Sequence, residues 1–223
     1  MLFRSEDGKG NLFGTTTAGG SKGNGYGTVF EITSSGEYIV LDSFDFVRGY
    51  PFAGLTLAND GNFYGTTVGP ANGQNGGTIF KITPAGAYTQ LNTFNECGVS
   101  GYAPDTPLFQ GTNGILYGTT IYGGNGTTDG CGGYGTVFSL ANGLSPLVKT
   151  VPVAGTVGTQ VIILGNNLTG SSSVTFNGVA ASFTVQSDTY IKATVPAGAT
   201  TGTISVVTPS GTLNSNPQFV VTK

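Results

Sequence analysis

No histidine occurs anywhere in the chain. Ser-His-Asp and Cys-His nucleophile systems are therefore excluded, as are histidine-based zinc sites. Carboxylates remain. Glycoside hydrolysis needs only an acid and a nucleophile or base, and Asp42, Asp45, Glu96, Asp105 and Asp129 are the candidates. All five also read as solvated loop charges, so no catalytic residue is assigned and the chain is expected not to be an enzyme. Calcium takes oxygen ligands, and Asp7-Gly8-Lys9-Gly10-Asn11 and Asp60-Gly61-Asn62 are oxygen-rich turns. The corresponding Asn113-Gly114 carries no carboxylate, so an ordinary turn explains all three, and neither metal nor cofactor is assigned. Tyr26, Tyr50, Tyr102, Tyr122 and Tyr134 lie in or beside Gly-rich loops. A tyrosine ring offers an apolar face with a polar tip, so these five are the candidate ligand-binding residues, suited to stacking on sugars. Their structural alternative is to pin loops or to fill contacts between repeats.

The elements that position these residues recur three times. The motif is aromatic-Gly-Thr-Thr, a Gly/Asn-rich gap, then Gly-Thr-Val/Ile-Phe. It reads Phe13-Gly14-Thr15-Thr16 with Gly27-Thr28-Val29-Phe30. It returns as Tyr64-Gly65-Thr66-Thr67 with Gly77-Thr78-Ile79-Phe80, and as Tyr117-Gly118-Thr119-Thr120 with Gly135-Thr136-Val137-Phe138. Copies about 50 residues apart signal a repeat architecture, in which one unit cannot easily bury its apolar face alone. Charged residues are only 9% of the chain and glycines number 39. Such a composition can mean disorder, but Phe, Tyr, Val and Ile recur on schedule. Many short strands joined by tight turns fit better, and the fold class is all-β.

Each copy reads as a four-strand meander. In the clearest one the strands are 55–58, 62–68, 77–83 and 87–94, separated by Asn59-Asp60-Gly61, a Gly/Pro/Asn loop and Pro84-Ala85-Gly86. Phe30, Phe80 and Phe138 fall at matched strand positions and read as core. The paired threonines 15–16, 66–67 and 119–120 can form hydroxyl ladders across strands. The repeats are placed at about 1–44, 52–97 and 105–143 within a domain spanning 1–143. Four strands in this length make a β-propeller blade, although three four-stranded units also make a β-prism or β-trefoil.

These residues resemble the GloVer-type tandem repeats of bacterial choice-of-anchor surface proteins, over roughly residues 1–140, with 61–94 the closest copy. The resemblance implies propeller-like blades and an extracellular or cell-surface location. It also implies a larger number of repeats than three. Three blades leave exposed sheet flanks that invite pairing, so the expected partners are copies of itself or further repeats of a longer chain. The abrupt opening of the first repeat leads to the expectation that the natural chain extends before Met1.

Residues 146–223 read as a separate β-sandwich, with strand-length segments at 159–164, 173–176, 182–186, 190–195, 202–207 and 218–221. The order Pro152, Gly155, Gly158, Val161-Ile162-Ile163, Gly165, then Val174-Thr175-Phe176-Asn177-Gly178, resembles an IPT/TIG immunoglobulin-like domain. Asp188, Ile191, Val195-Pro196, Ile204-Ser205-Val206 and Phe219-Val220-Val221 continue that resemblance. In that family DNA binding relies on basic loops, whereas here Lys149, Lys192 and Lys223 are the only basic residues of the segment. Nucleic acid is therefore not an expected partner. No apolar run of about 18 residues is present to span a membrane.

Cys97 and Cys131 lie in equivalent Gly-rich insertions of adjacent repeats. Exposed free thiols are a liability, which favours a disulfide over two independent buried thiols. Such a bridge would add about 3–4 kcal/mol in the chain-entropy view and implies an oxidising compartment. Together these readings predict a secreted or surface-attached structural or adhesion protein whose repeats assemble with further copies. The alternative is a lectin-like, polysaccharide-binding module.

Overall fold

The computed structural model describes residues 4–22, 25–69, 76–95, 100–124 and 132–223. All regular elements among them are β-strands. The chain divides into two units, Met1–Gln110 with Leu116–Leu140, and Gly111–Ile115 with Ala141–Lys223.

In the first unit the first motif copy builds an antiparallel meander from β1 (Arg4–Glu6), β2 (Leu12–Thr16), β3 (Thr28–Ile32) and β4 (Tyr38–Ser43). The second copy repeats it with β5 (Thr56–Leu57), β6 (Phe63–Thr67), β7 (Thr78–Ile82) and β8 (Tyr88–Thr93). Register repeats as well as order. Thr16 pairs with Thr28 as Thr67 pairs with Thr78, and both fourth strands carry a β-bulge, opposite Val29/Phe30 and Ile79/Phe80. The bulged residue is Leu41 in one and Leu91 in the other. Phe13, Val29, Phe44, Leu55, Phe63, Phe80 and Ile82 form one buried cluster spanning these two repeats.

The third copy departs from expectation. Its sheet contains β9 (Phe109–Gln110), β10 (Leu116–Thr119) and β11 (Val137–Leu140), so among the described residues it has three strands rather than four. The reason lies just beyond β11. Pro146 falls where the fourth strand would begin, and proline cannot donate to a ladder. Leu147 and Val148 are then fully buried, Val148 within the sandwich core. Burial in the sandwich takes the segment that would have returned along β11.

The second unit holds two four-stranded sheets. One is ordered β12 (Lys149–Val151), β14 (Gln160–Leu164), β18 (Tyr190–Thr194), β17 (Phe183–Ser187). The other is ordered β16 (Val179–Ala180), β15 (Ser173–Phe176), β19 (Ile204–Thr208), β20 (Gly211–Asn214), while β13 (Ala154–Gly155) and β21 (Val220–Val221) form a parallel pair. Strict alternation supplies its core. Val161 and Ile163, Val174 and Phe176, Ile191 and Ala193, and Ile204 and Val206 all point into one cluster with Phe219.

Candidate binding surface

The repeated motif is a device for close backbone approach. A Cβ on Gly27, Gly77 or Gly135 would lie 2.0, 2.2 or 2.2 Å from the carbonyl oxygen of Thr16, Thr67 or Thr120, and all three glycines have φ between 90° and 111°. No other residue meets both conditions without strain. In the aromatic-Gly-Thr-Thr half the glycine makes room for an aromatic ring. A Cβ on Gly65 would meet Phe80 at 2.5 Å, and one on Gly118 would meet Phe138 at 2.4 Å. The threonines then tie the two halves together. Thr16–Thr28, Thr67–Thr78 and Thr120–Thr136 share hydroxyl hydrogen bonds of 3.0, 2.7 and 3.0 Å, and in each the later residue's N–H donates to the earlier hydroxyl.

Neighbouring repeats meet through contacts that also recur. Ser5 Oγ donates to Leu55 O as Thr56 Oγ1 donates to Leu108 O. Thr15 Oγ1 donates to Ala53 O at 2.8 Å, and Thr66 Oγ1 to Thr106 O at 3.5 Å. The phenylalanine after each fourth strand packs edge-on against the motif phenylalanine of the next repeat, Phe44 on Phe80 at 5.4 Å and Phe94 on Phe138 at 5.0 Å.

Segments following the fourth strands cover the next repeat's threonine pair. Tyr50 bridges to Val68 beside Thr67, with its N–H donating to Val68 O at 2.9 Å. Tyr102 bridges to Tyr122, and Thr136 Oγ1 donates to Ser100 O at 3.0 Å. At the first repeat the corresponding surface is an open pocket of ≈ 450 Å³, lined by Thr16, Thr28, Tyr38, Val40 and Ser43 together with 18–21.

Four of the five tyrosines singled out from the sequence come together in pairs. Tyr26 and Tyr50 lie 5.0 Å apart, with Phe46 and Phe52 adjoining them. Tyr102 and Tyr122 stack at 5.2 Å, 26° from parallel, and Tyr122 is 45% exposed. Tyr134 is fully exposed. Sequence reasoning missed Tyr38, exposed at the first repeat's open pocket, because it sits on a strand rather than in a Gly-rich loop. Its equivalence to Tyr88 was the available signal. The Cys97–Cys131 pairing, Glu96 and Asp129 lie outside the described residues.

Two of the candidate carboxylates are engaged structurally. Arg48 Nη1 donates to Asp42, its Nε to Asp45 at 3.3 Å, and Lys22 Nζ lies 2.9 Å from Asp42. The Arg48 guanidinium also sits over the rings of Tyr88 and Phe44, at 4.7 and 5.3 Å. Burial alone would raise Asp42, but the bonds from Lys22 and Arg48 outweigh it and hold the carboxyl below its ordinary value. The same bonds to Asp42 raise Arg48 against the opposing effect of burial. Asp60 is also held low, its burial outweighed by bonds from the Asn62 side chain, the Asn62 N–H and Tyr64 Oη. Asp7 is likewise occupied by Lys9 and Asn11, and Asn113 makes the same turn with an amide oxygen. These turns use their own oxygens, and among the described residues no group of three or more metal-ligating side chains occurs.

The Gloeobacter/Verrucomicrobia repeat matches residues 4–182, and the IPT/TIG domain matches residues 145–221. The chain belongs to the Gloeobacter/Verrucomicrobia repeat family. The IPT/TIG domain of this Gloeobacter/Verrucomicrobia repeat chain is the alternating sandwich. No curated protein matches the chain. Among solved structures, a gamma-CGTase from alkalophilic Bacillus clarkii aligns with TM-score 0.31 and 17% identity, covering 75% of this chain and 25% of that one. SGBP-B from a complex xyloglucan utilization locus in Bacteroides uniformis aligns with TM-score 0.29 and 13% identity, covering 74% and 47%. The chain thus spans less than half the length of either. No helix among the described residues is long and apolar enough to cross a membrane.

Proposed function

We propose that this is a non-catalytic structural or adhesion module, secreted or held at the cell surface, whose blade-like repeats assemble with further repeats. One observation carries the reading. The face that the first repeat presents at Thr16, Thr28 and Tyr38 is the face that the second and third repeats bury under the preceding repeat's linker. A repeat placed before residue 4 would meet a prepared surface, in the nearest-neighbour manner of repeat proteins. The test is a chain carrying a duplicate of residues 1–51 at its N-terminus. Its unfolding temperature should rise, and Tyr38→Asp with Val40→Asp should remove the rise. An extended chain no more stable than the original would overturn the reading.

Carbohydrate binding is the second reading, and the Tyr102–Tyr122 stack favours it, because Tyr122 stays exposed while stacked. A glycan array probed with the chain and with Tyr122→Ala tests it. Absence of any ligand, or binding indifferent to the substitution, removes it.

A further inference from the structure

Among the described residues, the exposure at β11 departs from that of the equivalent strands. Val29 and Ile79, the second residues of β3 and β7, are 0% and 1% exposed, whereas the equivalent Val137 is 77% exposed. The motif is unchanged and the inner neighbour is present, since β11 pairs fully with β10. A strand side chain points to a sheet face, so Val29 and Ile79 are covered by the following repeat, which Thr15 and Thr66 on the same face also touch; among the described residues no following repeat covers Val137. The outer flank differs as well. In the first two repeats a fourth strand lies there; in the third, among the described residues, β11 is the edge of its sheet.

We infer that the outer flank of β11 is a strand-acceptor site that takes, by β-augmentation, an extended segment of the kind Tyr-x-x-Leu-x-Ser/Thr-Phe supplied by a further repeat. This inference rests on the assembly reading above and specifies one site within it. The two filled copies define the ligand. Tyr38 and Tyr88 lie opposite Ile32 and Ile82, and Ser43 and Thr93 lie opposite Thr28 and Thr78. Leu41 and Leu91 occupy the bulge, and the N–H of Phe44 and Phe94 donates to the carbonyl of Gly27 and Gly77, at 2.8 Å in both. Transferred to the third repeat, the donor tyrosine faces Leu140, its Ser or Thr faces Thr136, and its phenylalanine N–H faces the carbonyl of Gly135. Main-chain bonds give affinity in this mode and the alternate side chains give selectivity. The acceptor sequence Thr136-Val137-Phe138-Ser139-Leu140 carries no charge, so it lacks the charged side chains that guard many edge strands. The fourth strands β4 and β8 are each paired within their own sheet, so neither is free to act as the donor.

The probe is a synthetic peptide with the sequence of residues 86–95, titrated into the full chain with amide exchange followed by mass spectrometry. Saturable binding is expected, with slowed exchange across 136–140. Binding should weaken at least roughly tenfold on Val137→Asp in the protein, on replacing the peptide's leucine by aspartate, or on N-methylating the peptide backbone. The methylated peptide keeps its side chains and needs no protein variant, so it isolates the ladder even if Val137→Asp perturbs folding. No saturable binding, protection elsewhere than 136–140, or indifference to N-methylation would overturn the inference. So would a concentration-dependent dimer dissolved by Val137→Asp, because a second copy's edge would then occupy the flank. A failed peptide beside a stabilising N-terminal duplicate rejects the acceptor site alone; failure of both rejects assembly itself.

Discussion

The second and third repeats share a sequence motif and a backbone, yet one is buried and the other half open. Gly77 and Gly135 stand equally close to the carbonyls they face, and both threonine pairs are made. Around that frame, Ile79, Phe80 and Ile82 are sealed, while Val137 is exposed and Phe138 is half-buried. The motif therefore specifies a local turn-and-ladder geometry, and burial is added separately by a fourth strand and a neighbouring repeat. Backbone constraint travels with each copy; hydrophobic stabilisation depends on company.

The largest expected effects attack what the two repeats share. Gly77→Ala and Gly135→Ala each force a Cβ onto a carbonyl oxygen at positive φ, and each should cost more than about 3 kcal/mol. Chemical denaturation should show similar damage in both, and a large difference would mean the frame is not shared. Gly36→Ala, where φ is 89° and nothing lies within 4 Å, should cost only about 1 kcal/mol. The next test attacks what differs. Ile79→Ala should cost about 2–4 kcal/mol, while Val137→Ala should stay within about 0.5 kcal/mol. If the two losses were alike, exposure at β11 would not describe the protein in solution.

Arg48 holds the first repeat's end onto the second through Asp42, Asp45 and the faces of Phe44 and Tyr88. Arg48→Ala should cost about 2–3 kcal/mol, since it leaves a mostly buried carboxylate with only Lys22 as an ion-pair partner and uncovers the Tyr88 and Phe44 rings. The third repeat should keep its native exchange rates. Thr67→Val should cost about 1–2 kcal/mol by leaving the buried Thr78 N–H and hydroxyl short of a partner, and Thr120→Val, in the wetter third repeat, should cost less.

The smallest effect is the pH dependence. The Asp42 carboxyl is held below its ordinary value in the folded chain. Its contribution is therefore complete above the unfolded value of about 3.9 and declines as pH falls further, through the lower folded value. Thermal unfolding between pH 6 and 2 should show this decline, and Asp42→Asn should reduce it.

Much of this construction was legible from residue types. The paired Gly-Thr elements announced their own turns, because a positive φ under a carbonyl admits glycine alone. The apolar alternation at 159–164 and 190–195 announced the sandwich. The short strands β13, β16 and β20 were not legible. Two of them have only two residues, and Gly-Thr-Leu-Asn in the third carries no apolar alternation. The stacked Tyr102–Tyr122 pair was partly legible, since the individual rings stood out, but their meeting required the bridge between two distant segments.

By itself, the sequence determined the local geometry of each copy: where a glycine must stand, which threonines face each other, and where chains turn. These depend on sterics within a few residues of backbone. Whether a copy is sealed was decided only in three dimensions. Val148 is drawn into the sandwich core, the third sheet has three strands among the described residues, and the same Gly-Thr-Val-Phe that is core in one place becomes an edge in another. Burial is a property of what lies alongside, and a motif does not carry its neighbours with it.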